Sequence, residues 1–356
     1  MLLASIEDSE MNGSQEVMEP PARSSSGEAG GVVKGSAAPG GAKTPLRFLL
    51  AVPVATALAF ALHLLVSKKE PPVETQSFSI FLGIVLGVAI TALAVQTFWQ
   101  GLRRWMRDMC PILAAAVVLL CVWEVITAGF QWLPMPYFPS PAGVLQSLIN
   151  DRALIFDSTW HSLLLLLCGY ALGVVLGLVT GVCIGWFEFA RYWGMPVLKI
   201  VGPIPATAWI PLAMILSPSA MFSAVGLIAL AVWFPVTMLT ASGISNTRAS
   251  YLDVARTLGA GRAFLIFRVA IPAAMPNIFI GLFMGLGASF LTLVVAEQVG
   301  VKSGLGWYVT WAQGWAEYGK VYAALVVMAA FFSTIMTMLF KVRDRVLVWQ
   351  KGVIKW

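Results

Sequence analysis

Eight long apolar runs divide most of this chain, and they decide what it can fold into. They fall at about 47–67, 78–99, 111–129, 162–186, 196–215, 220–243, 277–296 and 321–340. Each approaches the ~20 residues that a helix needs to cross the hydrocarbon core of a bilayer. The composition agrees, with 59% hydrophobic and only 11% charged residues. Soluble chains carry about 25% charged residues, so a water-facing surface could not be covered here. In lipid every backbone polar group needs an internal partner, and helices satisfy that locally. The expectation is an all-α, polytopic membrane bundle of about eight transmembrane helices.

The basic residues test that count. With the N-terminus placed inside, eighteen of the 23 Lys and Arg fall on the inner side. The other five, Lys68, Lys69, Arg152, Lys302 and Lys320, fall outside. Positive residues favour the cytoplasmic side, so both termini are expected there. Trp is enriched at the membrane–water interface, and many of the fourteen Trp flank the runs, among them Trp99, Trp186, Trp193, Trp307 and Trp349. The net charge of +6 therefore serves orientation, and no massed basic face suggests nucleic acid.

Residues 1–45 are rich in Gly, Ser, Pro and Ala, and are expected to form a disordered cytoplasmic tail. Cys110, Cys121, Cys168 and Cys183 lie in or beside the apolar runs without a C-x-x-C pair, so neither a metal site nor a disulfide framework is indicated. Residues 130–160 hold Ser140-Pro141, which reads as the start of a short helix lying along the outer surface. Gly173, Gly177, Gly181 and Gly185 recur every fourth residue and form a close-packing face, within the chain or at a dimer seam.

The most informative segment is the inner loop 244–276. It is basic and amphipathic, with Ser250 as a plausible N-cap, Asp253 near a helix start and Gly259 and Gly261 at a sharp turn. Pro272 is expected to stop its second helix before the next span. An interfacial helix lying on lipid head groups would explain these features equally well.

This loop resembles that of the permeases of ABC importers, whose pattern is E-A-A, three residues, G, nine residues, then I-x-L-P. The matching residues are Asp253-Val254-Ala255, Gly259, Val269, Ile271 and Pro272, with every spacing kept. Tyr137 to Leu145, Trp123-Glu124, Pro203 to Ala213 and Ala296 to Trp307 look like the nitrate/sulfonate/taurine/bicarbonate type of that family. The likeness covers residues 111–356. Residues 46–110 are two extra N-terminal transmembrane helices without a counterpart in the minimal member, and Ser217-Pro-Ser-Ala-Met-Phe replaces the usual Gly-rich turn.

The resemblance implies a permease subunit that forms the path for a small anion across the inner membrane. It also implies partners: a second permease copy, a cytoplasmic ABC ATPase dimer and an extracytoplasmic solute-binding protein. The ATPase-coupling loop would use Asp253, Ala255, Arg256, Gly259, Ala260, Gly261, Ile271 and Pro272. The alternative is an ATP-independent secondary transporter or channel, which would show intramembrane charge pairs and internal repeats. Broken helices line transport sites, so Thr207 and Trp209 in the Pro-rich fifth run are candidates for the path. Ser289, Thr292 and Glu297 in the seventh run are others.

No catalytic residues, metal or cofactor are expected in this chain, with ATP and Mg held by the partner ATPase. The segment Gly314 to Val321 approaches a phosphate-binding loop, but Val321 replaces the Ser or Thr that such a loop needs for Mg²⁺. Glu124 lies inside a run, where pairing with a buried polar group is the favoured reading. His63 and His161 are too far apart in sequence to argue for a metal pair.

Overall fold

A computed structural model describes residues 46–66, 76–96, 100–133 and 136–349. The tail at 1–45, Lys68, Lys69 and the last residues of the chain lie outside this set. Every regular element among the described residues is helical. In chain order these are α1 (Leu46–Val66), α2 (Gln76–Val95), α3 (Gln100–Glu124, continued by one π turn), α4 (Pro141–Asn150) and α5 (Arg152–Trp186). Then follow α6 (Glu188–Val201), α7 (Ile210–Leu216), α8 (Ala220–Ser245), α9 (Ala249–Thr257), α10 (Arg262–Phe264), α11 (Ile271–Val299), α12 (Leu305–Gly314) and α13 (Tyr318–Val346). Six helices are long and apolar enough to cross a membrane, or seven if the bent pair around α6 and α7 counts as one span. Helix α1 carries a shorter apolar stretch, Leu50–Leu65.

The centre of the bundle is α8, held between α5 and α11. The five glycines Gly169, Gly173, Gly177, Gly181 and Gly185 of α5 lie in turn against Ile228, Val232, Val236, Thr240 and Ile244 of α8. Both series advance by four residues and rise together, so α5 and α8 run parallel in contact at backbone distance. A Cβ at Gly173 would stand 2.6 Å from the Ala229 carbonyl oxygen, which leaves room for no side chain. Lipid tails are as apolar as Leu, so association in a membrane depends on such close packing and on interhelical hydrogen bonds. The bonds are present: Thr180 and Thr237 hydroxyls lie 2.8 Å apart, and the Trp233 indole donates to Thr180 at 3.0 Å. The glycine face is thus intrachain packing.

Helix α11 covers the other side of α8 in the opposite direction. Gly285 lies against Val232 and Gly281 against Val236, while Gly243 of α8 meets Ala274 and Asn277. Val232 and Val236 are wholly buried between the two layers. The Tyr170 hydroxyl donates to the Leu282 carbonyl at 3.0 Å and ties α5 to α11. Helix α13 then runs antiparallel to α11, with Phe283 on Phe340 and Phe290 on Phe332.

The first three helices form a second packed group, with Val52, Ala89, Met106 and Cys110 at its centre. Its polar clasp is the pair His63 of α1 and Glu124 of α3, both buried, with the other imidazole nitrogen 2.9 Å from the Ser79 hydroxyl of α2. The paired reading of Glu124 thereby acquires a named partner. Helix α4 starts as the sequence suggests: Ser140 accepts from the Gly143 amide and Pro141 occupies the first turn. Phe78 and Leu82 of α2 pack on Ala142, joining this group to α4.

Several expectations change. The fifth run is two helices meeting at 84°, because Pro203 and Pro205 remove donors and force an extended link between them. Ser250 does not cap a helix: α9 already starts at Ala249, and its N-cap is Arg248 without a side-chain bond. Pro272 does not stop the second loop helix either. A π turn at Leu265–Ala270 precedes it, and the chain stays helical from Arg262 to Val299. The π turn absorbs the carbonyl that proline cannot bond, so the proline opens α11. The fourth run begins earlier, at Arg152, since α5 projects beyond its apolar stretch.

Candidate functional site

The break between α6 and α7 creates a cleft of about 290 Å³ at mid-bundle. Ile204 and Thr207 come from the broken segment, Phe234 from α8, and Met284, Leu291 and Thr292 from α11. Two of the sequence candidates, Thr207 and Thr292, thus share one cavity across different elements. The Thr292 hydroxyl also bonds the Ala288 carbonyl of its own helix at 2.9 Å. Trp209 sits in the 3₁₀ turn, half-buried, with its indole N–H buried and without a partner among the described residues. The lining carries hydroxyls and apolar groups, and no charged side chain.

Ser289 and Glu297 lie elsewhere. Ser289 is fully buried and donates to the Leu286 carbonyl at 2.7 Å. Glu297 is buried among protein groups, where one carboxylate oxygen accepts from Ser162 and the other from the Gly306 amide, both at 2.7 Å. Ser162 in turn accepts from the Leu305 amide at 2.8 Å. The carboxylate and hydroxyl together satisfy the first amides of α12, which otherwise has no capping side chain. Gly304 has φ +102°, and a Cβ there would fall on the Glu297 carboxyl group. The run Gly304-Leu-Gly306, seven to nine residues after a lone acid in an apolar run, was the signal for this arrangement. Ser162, its third member, had no signal in the sequence.

In the first turn of α12, the Tyr308 hydroxyl donates to Asp151 at 2.8 Å. Burial, and then that bond, push its phenol well above the ordinary tyrosine range. Lys320 bonds Asp151 at 3.2 Å and Glu317 at 2.8 Å, and lies over the Trp311 ring. The lysine of the near P-loop sequence is therefore engaged in joining α5, α12 and α13, in a helical setting without a preceding strand among the described residues.

The loop 249–270 stands at the opposite end of the bundle. Helix α9 ends in a Schellman motif: the Gly259 amide bonds the Arg256 carbonyl at 2.9 Å and the Ala260 amide bonds the Ala255 carbonyl at 3.0 Å. This geometry needs a left-handed residue, and Gly259 supplies it with φ +82°. The spacing between Ala255 and Gly259 is therefore that of a helix end and its terminating glycine. Gly261 begins α10, and its carbonyl accepts from the Leu265 amide. Ile271 packs beside Ile244, Ala274 and Ile278 at the root of the loop. Asp253 and Arg256 are exposed and paired with each other at 3.1 Å.

No residue of α9 is buried. Tyr251, Val254 and Leu258 are 51%, 61% and 82% exposed, and recur at the spacing of one helix face. A Cβ built at Gly259 meets nothing within 4 Å. The helix is thus an apolar-faced projection whose outer side contacts nothing else in this chain.

Comparison with known proteins agrees with this layout. The family of the binding-protein-dependent transport system inner membrane component matches residues 173–347. A probable ABC transporter permease protein of Haemophilus influenzae is 30% identical over 224 residues, covering 63% of this chain and 91% of that protein. A putative aliphatic sulfonates transport permease protein of Bacillus subtilis is 31% identical, over 63% of this chain and 80% of that protein. The taurine transport system permease protein of Escherichia coli is 29% identical, over 64% and 85%. A multi-pass bundle with a glycine-terminated projecting helix and relatives of this kind leads to one assignment: the chain belongs to the binding-protein-dependent transport system inner membrane component family, the inner-membrane permeases of ABC transporters.

Proposed function

We propose that this chain forms the translocation path for a small anion and converts the work of a cytoplasmic ATPase dimer into movement of that path. The observation that carries this reading is α9, a rigidly terminated helix that leaves Tyr251, Val254 and Leu258 exposed outside the lipid-spanning part. An exposed apolar face of that kind on a folded protein marks a contact with another one. Asp253, Ala255, Arg256, Gly259, Ala260, Gly261, Ile271 and Pro272 would form the coupling loop. Their root at Ile271 is continuous with α11, which lines the cleft through Met284 and Thr292. A push on α9 would thus reach the path through one helix. ATP and Mg would be held by the ATPase, and solute would arrive from an extracytoplasmic binding protein.

The contact directions fit eight crossings, which would put both termini on one side, and the excess of Lys and Arg there would make it the inner side. Parallel α5 and α8 require that residues 187–219 travel the full length of the bundle, so the bent pair counts as a span. Val52 near Met106 and His63 near Glu124 make α1 parallel to α3, which places a crossing by α2 between them. Two N-terminal helices on a six-helix core, acting as one half of a homodimer, is the corresponding architecture. The anion would be of the sulfonate or taurine class named for relatives. A cleft of hydroxyls and apolar walls fits a weakly held solute in transit.

Replacing Gly259 with Trp tests coupling. The site has free space inside this chain, so the variant inserts and keeps its bundle, at a local cost of about 1–2 kcal/mol for the left-handed conformation. ATPase co-purification and solute uptake by vesicles are expected to be lost. Uptake at the normal rate would refute the role of α9.

A further inference from the structure

We propose that the cavity between α9 and the ends of α5 and α8 holds the phosphate of an anionic phospholipid headgroup. The cavity measures about 450 Å³, and its polar lining is Arg191, Arg256, Arg262, Ser245 and Thr247, with Trp186 at its wall. Three guanidinium groups and two hydroxyls form a donor set suited to phosphate oxygens. No Asp or Glu belongs to the lining. The nearest acids on these elements are Asp253, which pairs with Arg256, and the exposed Glu188 at the start of α6. Arg191 spends two donors on the Ile184 and Gly185 carbonyls, at 3.2 and 2.5 Å, and so stands fixed at the end of α5. Arg262 bonds no acceptor among the described residues.

The cavity's position points to a lipid. The walls are the last turns of two membrane helices, so the cavity opens at headgroup depth. Beside it Phe187, Phe189, Tyr192 and Trp193 are 46% to 79% exposed with no cover from this chain. Aromatic rings of this kind collect at the interface, next to glycerol and acyl carbons. The cavity is open on one side, so a phosphodiester can seat its phosphate among the arginines while its alkyl chains leave towards these rings.

The cavity shares Arg256 with the proposed coupling loop but lies on the other side of α9 from its exposed apolar face. Leu252 and Arg256 line it, while Tyr251, Val254 and Leu258 lie on the other side of α9. One helix would therefore hold a headgroup with one face and a partner with the opposite one. A bound lipid would brace α9 against α5 and α8, and transmission from the ATPase would depend on anionic lipid. The identity of the leaflet rests on the orientation proposed above, whereas the site itself does not.

The test uses the full chain alone in detergent micelles, with native mass spectrometry as the readout. The probes are a short-chain phosphatidylglycerol, the matching phosphatidylcholine and inorganic phosphate. The expected result is saturable binding of one phosphatidylglycerol, with no such binding of phosphatidylcholine. Arg262→Gln should weaken it about fivefold, the scale of one basic residue near an anionic surface, and Arg262→Lys should keep most of it. Equal affinity for inorganic phosphate would overturn the lipid assignment in favour of a free anion. Displacement of the lipid on adding the partner ATPase would assign the cavity to that protein. Unchanged binding in Arg262→Gln would overturn the site. No ATPase is needed for the binding arms, so failure here is distinct from failure of the coupling reading.

Discussion

A single methyl group placed in the α5–α8 seam should separate two helices that the fold holds at backbone contact. At Gly181 an added Cβ would lie 2.6 Å from the Thr240 Cβ and 2.9 Å from the Thr237 carbonyl oxygen. Carbon atoms rest about 3.5–4.0 Å apart, so the helices must part by roughly 1 Å locally. A gap of that size forfeits a quarter to a half of the dispersion energy of the atoms beside it, and overpacking of this kind costs about 1–3 kcal/mol. Alanine also gains about 1 kcal/mol over glycine in a helix interior, which would mask part of the loss. Gly287 of α11 provides the control, because a Cβ there meets nothing within 4 Å. Both variants receive the same helical gain, so their difference isolates the clash. At ~2 °C per kcal/mol, the scale of large domains, Gly181→Ala should melt about 2–6 °C below Gly287→Ala in the same detergent. Equal melting temperatures would refute the seam as a determinant of stability.

Two further outcomes follow from the buried carboxylates. Glu124→Ala leaves one nitrogen of the buried His63 imidazole without its partner, a loss of about 1–3 kcal/mol, and amide exchange in α1 and α2 should accelerate while α9 is unaffected; unchanged exchange there would show that the clasp does not hold the first helices. Glu297→Ala and Gly304→Ala should both loosen α12, the first by leaving the buried Gly306 amide and Ser162 hydroxyl without their acceptor, about 1–3 kcal/mol, the second by steric overlap at a positive φ. Protection of the α12 amides in either variant, measured by hydrogen exchange, would count against the cap.

Much of the architecture was legible because lipid imposes a one-dimensional rule. Run length located the long helices without reference to contacts, although it expected eight spans where six, or seven with the bent pair, are long and apolar enough among the described residues. The Gly-x-x-x repeat of α5 announced a close approach, and Gly259 and Gly261 announced a sharp turn. Helix boundaries were less legible where proline was involved. Pro203 and Pro205 broke a run that hydropathy joins, whereas Pro272 sits in a helix that local rules would end. The difference lies in what satisfies the freed carbonyls: a π turn does so before Pro272, and an extended link takes its place at Pro205.

The candidate path divided along similar lines. Thr207 and Thr292 meet across 85 residues of sequence because α8 and α11 close on the broken segment. Glu297 has the same polar character in sequence, yet its partners Ser162 and Gly306 turn it into a cap. An isolated acid in an apolar run must be paired, and its sequence says that much; whether the partner is a solute, a proton or a buried amide depends on what folds beside it. The sequence alone determined that this chain lives in a membrane, with its long helices and a loop that turns at glycine, since each follows from composition and local spacing. The tertiary structure alone decided which glycine face meets which helix, which acids are locked and which hydroxyls reach a cavity, since those depend on contacts between residues far apart in the chain.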